Sequence, residues 1–117
     1  MTGAEEAIDI QAVLAEMKQG FAKNIPAKVA EVRQSWNMLK AAPHDLAIFD
    51  IMHRKAHNLA SSGDMLDLEH ISDPARKIEL ALQEGKPGRL PQHGIEQLLV
   101  MLEAATVSDD AGHKPAD

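Results

Sequence analysis

The chain has no cysteine and no tyrosine, a single tryptophan and two phenylalanines. Without cysteine there is neither a disulfide framework nor a thiolate metal site, and a reducing cytoplasm is the expected compartment. Aromatics make up 3% of the residues against 44% hydrophobic overall, so the core has to be built from Leu, Ile, Val, Ala and Met. β-Branched runs and strict alternation are also scarce, which favours helix packed on helix over a β-sandwich. No apolar run approaches the ~20 residues that span a bilayer. The start, Met1 to Glu6, is acidic and lacks the positive region and apolar stretch of a secretory signal. Membrane attachment is therefore not expected. Positive charge is in short supply too: 12 Lys and Arg stand against 18 Asp and Glu, for a net charge of -6. With no basic run and no paired aromatics, nucleic-acid binding is excluded as a reading.

What is present is helical periodicity in a chain of 117 residues, one domain's worth. A helix is expected from Ala4 or Glu5, with Ile8, Val13, Leu14, Met17, Phe21 and Ile25 as its apolar flank. Pro26 predicts a boundary or bend at Asn24–Pro26. From Pro26 to Ala41, Val29, Val32, Trp36 and Leu39 recur at intervals of three, four and three, which makes Trp36 a core anchor. Pro43 stops that helix and His44-Asp45 starts the next, which ends near Gly63–Leu66. Asp67 or Ser72-Asp73 caps the following helix, with Pro74 in its first turn if Asp73 is the cap and with Ala75, Ile78, Ala81 and Leu82 facing inward. Gly85-Lys86-Pro87-Gly88 is the most emphatic break. A last helix from about Pro91 to Ala105 buries Ile95, Leu98, Leu99, Leu102 and part of Met101. The expected architecture is all-α: an antiparallel up-down-up-down four-helix bundle with an additional N-terminal helix. It forms one domain over residues 1–117, ordered over about 5–106, with a polar, disordered tail at 107–117.

The stretch with chemical content is His53-Arg54-Lys55-Ala56-His57-Asn58-Leu59-Ala60-Ser61-Ser62-Gly63. At about 100° per residue, Phe49, Met52, Ala56, Leu59 and Gly63 share one arc, and His57 stands at its edge. Asp50, Arg54, Ser61 and Asp64 lie on the same flank at one-turn or two-turn spacing. An imidazole so placed is reachable from solvent and, with a reference pKa of about 6.5, is substantially neutral at cytoplasmic pH. One ring nitrogen is then a nucleophile, and the other carries a proton whose acceptor sets the tautomer. Asp50, Asp64 and water are the candidates for that acceptor.

The run Ala56-His57-Asn58-Leu59-Ala60-Ser61-Ser62 resembles the signature of the histidine-containing phosphotransfer (HPt) domains of bacterial phosphorelays, H-x-L-K-G-S with an Ala just before the histidine. His57, Leu59 and Ser62 agree with it, whereas Ala60 stands where the family has Lys and Ser61 where it has Gly. The resemblance extends roughly over Phe21 to Leu102 and implies a four-helix bundle. It also implies phosphorylation of His57, by transfer from an aspartyl phosphate on a receiver domain and onward to another receiver. The implied partners are response-regulator receiver domains, with a hybrid sensor kinase as a further candidate. The implied contacts to partner and phosphoryl group are Asp50, Arg54, Ala60, Ser61 and Asp64. Ser61 adds a hydroxyl at the cost of some bulk, and Arg54 is the candidate to replace the missing Lys; Lys55 points elsewhere on the helical wheel. No cofactor is expected on this chain, Mg²⁺ being the partner's contribution, and a monomer is expected. The chain has no Gly-rich phosphate loop, and Asn58 follows His57 where sensor-kinase dimerisation domains have an acid, so ATP-dependent kinase activity is not expected.

Two other readings compete. His53 and His57 have the i, i+4 spacing of metal ligands, but the intervening Arg54 and the want of a third ligand oppose zinc. His53 reads as a half-buried packing residue, His44 as a helix start, His70 as a turn residue and His93 as a first-turn residue. From another class of function comes a non-phosphorylated helical adaptor that binds a signalling partner through the surface around Arg54, His57 and Ser61.

Overall fold

A computed structural model describes residues 9–112 of the chain, with side chains as far as Thr106. The described residues form four helices and no strand: α1 (Ile10–Ala41), α2 (Leu46–Met65), α3 (Glu69–Glu84) and α4 (Gln92–Gly112). α1 packs on α2, α2 on α3, α3 on α4, and α4 back on α1. The four apolar stripes therefore converge on one core. It takes Val29, Val32, Trp36 and Leu39 from α1, Met52, Ala56 and Leu59 from α2, Ile71, Ala75, Ile78 and Leu82 from α3, and Ile95, Leu99 and Leu102 from α4. Each set repeats at three and four residues, the spacing that keeps side chains on one helical face. No helix among the described residues is long and apolar enough to cross a membrane.

α1 departs from the two helices expected on either side of Pro26. It is a single helix of 32 residues with Pro26 in its interior. The reason is phase: Ile25 and Val29 bracket the proline, both are buried, and they extend the stripe of Val32, Trp36 and Leu39 by a further turn. Burying an aliphatic side chain is worth about 1.5–3 kcal/mol, so two of them offset the ~3 kcal/mol of a mid-helix proline. The proline ring itself is exposed. α1 starts at Asp9, whose carboxylate accepts a hydrogen bond from the Ala12 N–H at 3.2 Å. The expected start at Ala4 or Glu5, and Ile8, lie outside the described residues. Of the expected apolar flank, Ile25 is buried and Phe21 is partly packed on the core, whereas Val13, Leu14 and Met17 are exposed, as is Ile10. The exposed members have amphipathic spacing but do not join the core; Leu14 lies beside the end of α2, at Met65–Asp67.

α2 is capped by Asp45, which accepts from the Ile48 N–H at 3.1 Å, as its place after Pro43 and His44 predicts. The turn into α3 differs from expectation. Asp67 takes φ +60°, the Leu68 N–H donates to the Gly63 carbonyl at 2.7 Å, and the Asp67 N–H to the Asp64 carbonyl at 3.2 Å. This pair of bonds is a Schellman closure with aspartate in the left-handed position that glycine usually takes. It buries Leu66 and Leu68. α3 consequently begins at Glu69, without a side-chain cap, and Pro74 lies inside it rather than in the first turn of a helix capped by Asp73. Again burial decides: starting early places Ile71 in the core ahead of Ala75. The break at Gly85–Gly88 falls where the glycines predict. Gly88 has φ +83° and lies against the His44 ring, a position with room for no side chain. α4 continues to Gly112, past the expected end at Ala105, and 113–117 lie outside the described residues.

Polar ties between α1 and α4 complete the closure. Arg33 donates through Nε to Glu103 at 2.8 Å and through Nη1 to Glu96 at 2.8 Å, and the buried Trp36 indole N–H reaches the same Glu96 at 3.2 Å. The guanidinium's hydrogen bond lowers the Glu96 carboxyl below its ordinary value, while Glu103 and Glu96 raise Arg33 above its own. A depressed carboxyl stabilises the fold above its unfolded-state pKa, and that contribution disappears as pH falls through the folded-state value. Acid titration of stability by urea unfolding is thus expected to show a loss below about pH 4.5 that is smaller in Glu96→Gln.

Two glycines make opposite predictions. A Cβ at Gly63 would lie 2.9 Å from the Ser72 Cβ and 3.1 Å from the Ser72 backbone nitrogen, whereas at Gly20 it would meet nothing within 4 Å. Gly63→Ala should destabilise by roughly 1–3 kcal/mol through overpacking, less up to about 1 kcal/mol of helix propensity. Gly20→Ala should stabilise by about 0.5–1 kcal/mol. Urea midpoints of the two variants check both signs.

Candidate functional site

α2 and α3 run antiparallel in a register that three contacts fix. His57 faces Glu79, His53 faces Gln83, and Gly63 abuts Ser72, so each step forward on α2 is a step back on α3. The glycine lets the helices approach closely enough for short polar contacts between them two turns away. His57 is half exposed, at 53% of its side chain, and its Nδ1 lies 2.6 Å from Glu79 Oε2. Glu79 is the opposite case, a carboxylate 10% exposed among the core-facing residues of α3. A buried carboxylate is costly unless hydrogen bonds satisfy it. Here no buried side-chain nitrogen or oxygen lacks a partner among the described residues.

The short contact has a chemical consequence. An ionised carboxylate only accepts, so the proton sits on Nδ1, which donates to Glu79, and Nε2 keeps its lone pair. Nε2 has no hydrogen-bond partner among the described residues. His57 lines an open depression of about 480 Å³ together with Asp50, His53, Arg54, Glu79 and Gln83. His53 Nε2 is 3.2 Å from Gln83 Nε2 and 4.0 Å from Glu79 Oε2, so the second histidine closes the Glu79 side of the depression. The whole is a half-exposed imidazole held in one orientation by a nearly buried carboxylate.

The residues singled out from the sequence fare differently. Asp50 and Arg54 line the depression with His57, and no ion pair holds Arg54 among the described residues. Ser61 is exposed on the same helix one turn on. Asp64 is exposed and paired with Arg76 of α3. Lys55 points away, to Glu31 of α1 at 3.0 Å. Ala60, expected among the contacts, is 0% exposed and cannot touch a partner: it forms part of the α2 surface that packs into the core. Neither Asp50 nor Asp64 is the acceptor for the imidazole N–H; Glu79 is. The sequence carried a usable signal for it. Glu79 follows Ile78 and stands four residues after Ala75, inside the apolar arc of α3, where a lone acid needs a partner. Among the described residues, no group of three or more His, Cys, Asp or Glu side chains could hold a metal ion.

No protein-family model, curated protein or solved structure matches this chain.

The tautomer is directly measurable. Long-range ¹H–¹⁵N spectra at neutral pH should show His57 as the Nδ1–H tautomer, and in Glu79→Ala the population should move toward Nε2–H, the form free imidazoles favour. An unchanged tautomer in that variant would mean Glu79 does not set it.

Proposed function

We propose that the protein is a phosphorelay carrier: His57 accepts a phosphoryl group from a receiver-domain aspartyl phosphate and passes it to another receiver. The observation that carries this reading is a half-exposed imidazole whose Nδ1 is held by a nearly buried carboxylate and whose Nε2 has no hydrogen-bond partner among the described residues. In the transfer, the Nε2 lone pair attacks phosphorus, the P–N bond forms, and the bond from phosphorus to the aspartyl oxygen breaks, with the electron pair leaving on the partner's carboxylate. The ring becomes cationic, and Glu79 balances that charge through the Nδ1–H bond. No base has to remove a proton. The reverse sequence discharges the group to the next aspartate. Mg²⁺ belongs to the receiver, and the chain works as a carrier without using ATP.

The resemblance around His57 and Leu59 supports the same reading, as does the helical fold. Short connections and the antiparallel α2–α3 pair fit an up-down-up-down bundle, the topology that sets a central helix face free for a receiver. A cytoplasmic location follows from the partners proposed.

The experiment is incubation with phosphorylated receiver domains and analysis of the protein for acid-labile, alkali-stable phosphate. Wild type should label and His57→Gln should not. Equal labelling of both moves the site elsewhere. No labelling by a panel of receivers favours the adaptor, which would hold its partner through Arg54, His57 and Ser61 without covalent chemistry.

A further inference from the structure

A phosphoryl group on His57 would bring about two negative charges to a helix face that already carries Asp50 and Asp64. Position 60, where the related signature has a cation, holds a buried alanine. Yet the register of α2 on α3 puts a cation at the same level from the other helix. His57 opposite Glu79, His53 opposite Gln83 and Gly63 beside Ser72 together set Arg76 across from Ala60. Arg76 is also one turn before Glu79 on α3, the spacing of same-face neighbours. Its guanidinium is engaged by Asp64, both partners being well exposed, at 43% and 53%. Along α2, position 60 lies about 4.5 Å from the level of His57 and about 6 Å from that of Asp64. An arginine side chain rooted between the two can serve either.

On this basis we infer that Arg76 is the phosphoryl-binding cation of the site, held by Asp64 in the free protein and transferred to the phosphoryl oxygens once His57 is charged. The inference rests on the phosphocarrier reading above and deepens it, by assigning the group that recognises the phosphorylated state. Arg54 lines the His57 depression from the N-terminal side but is on the helix of the histidine, whereas Arg76 lines the neighbouring depression with Asp64 and is one turn from Glu79. Arg76 is the cation that α3 supplies beside Glu79. The exchange also makes a switch: the Asp64–Arg76 tie between α2 and α3 exists in the unphosphorylated form and opens in the phosphorylated one, so a receiver meets a different surface before and after transfer. An exposed ion pair of this kind is weak enough to be replaced by a dianionic partner, because guanidinium binds phosphate oxygens in the same two-pronged manner.

Phosphoramidate, a small-molecule phosphoryl donor, separates this inference from the question of which receiver is cognate. Wild type, Arg76→Gln, Arg76→Lys and Asp64→Asn are charged with it, and the ³¹P resonance of the phosphohistidine is followed against pH. A cation about 6 Å away in water lowers the second ionisation of a phosphoryl group by roughly half a unit. The midpoint should therefore rise by about that much in Arg76→Gln, rise less in Arg76→Lys, and fall in Asp64→Asn, where the guanidinium is released. Circular dichroism establishes that the variants are folded, and Arg76→Lys and Asp64→Asn keep the test decisive if Arg76→Gln is not. A midpoint identical in wild type and the Arg76 variants overturns the inference and leaves the carrier reading standing. If neither phosphoramidate nor phosphorylated receivers place phosphate on His57 of wild type, the carrier reading fails and the inference fails with it.

Discussion

The close approach of α2 and α3 at Gly63 is the constraint on which the site depends. Ser72 fills the space where a side chain on residue 63 would be, and the backbones come near enough to fix the register of the helices. Two turns along, the same register brings a half-exposed imidazole to a nearly buried carboxylate at 2.6 Å. A shift by one residue would rotate Glu79 about 100° away from His57 and turn a different face of α3 to the core. Packing and chemistry are thus set by one contact surface, and the turn at Asp67 and Leu68 secures it from the C-terminal end of α2.

Glu79 is costly to bury and stabilising only while its hydrogen-bond partner is in place. Such a residue contributes orientation to the site. It commits the proton to Nδ1, leaves the Nε2 lone pair unused by any side chain among the described residues, and is positioned to offset positive charge on the ring. The cationic side of the site is arranged with more freedom: Arg54 lies at its border without an ion-pair partner among the described residues, and Arg76 is tied to an exposed aspartate.

The opposite wall of the core shows the same economy of charge. Arg33 gathers Glu96 and Glu103, and Trp36 shares Glu96, so α1 and α4 are joined where the single tryptophan enters the core. The N-terminal end of α1, by contrast, leaves Ile10, Val13, Leu14 and Met17 exposed. Its periodicity resembles that of the packed half, which is why spacing alone could not tell them apart. Amphipathicity states which face would be buried, while burial requires another element within reach.

Sequence by itself determined the helical class, because the three-and-four spacing of Val29, Val32, Trp36 and Leu39, or of Met52, Ala56, Leu59 and Gly63, is a local geometric property that folding does not alter. It determined the cap at Asp45 and the break at Gly85–Gly88 for the same reason, and it singled out His57 as the residue at the edge of a buried arc. Tertiary structure decided the rest. Whether Pro26 bounds a helix and whether Pro74 opens one turned on whether the apolar residues flanking them could reach the core, and they could. Which acid holds the imidazole turned on the distance between two helices. Asp50 and Asp64 were near His57 along the chain, but Glu79, 22 residues away, is near it in space, and only a packed pair of helices could make that difference.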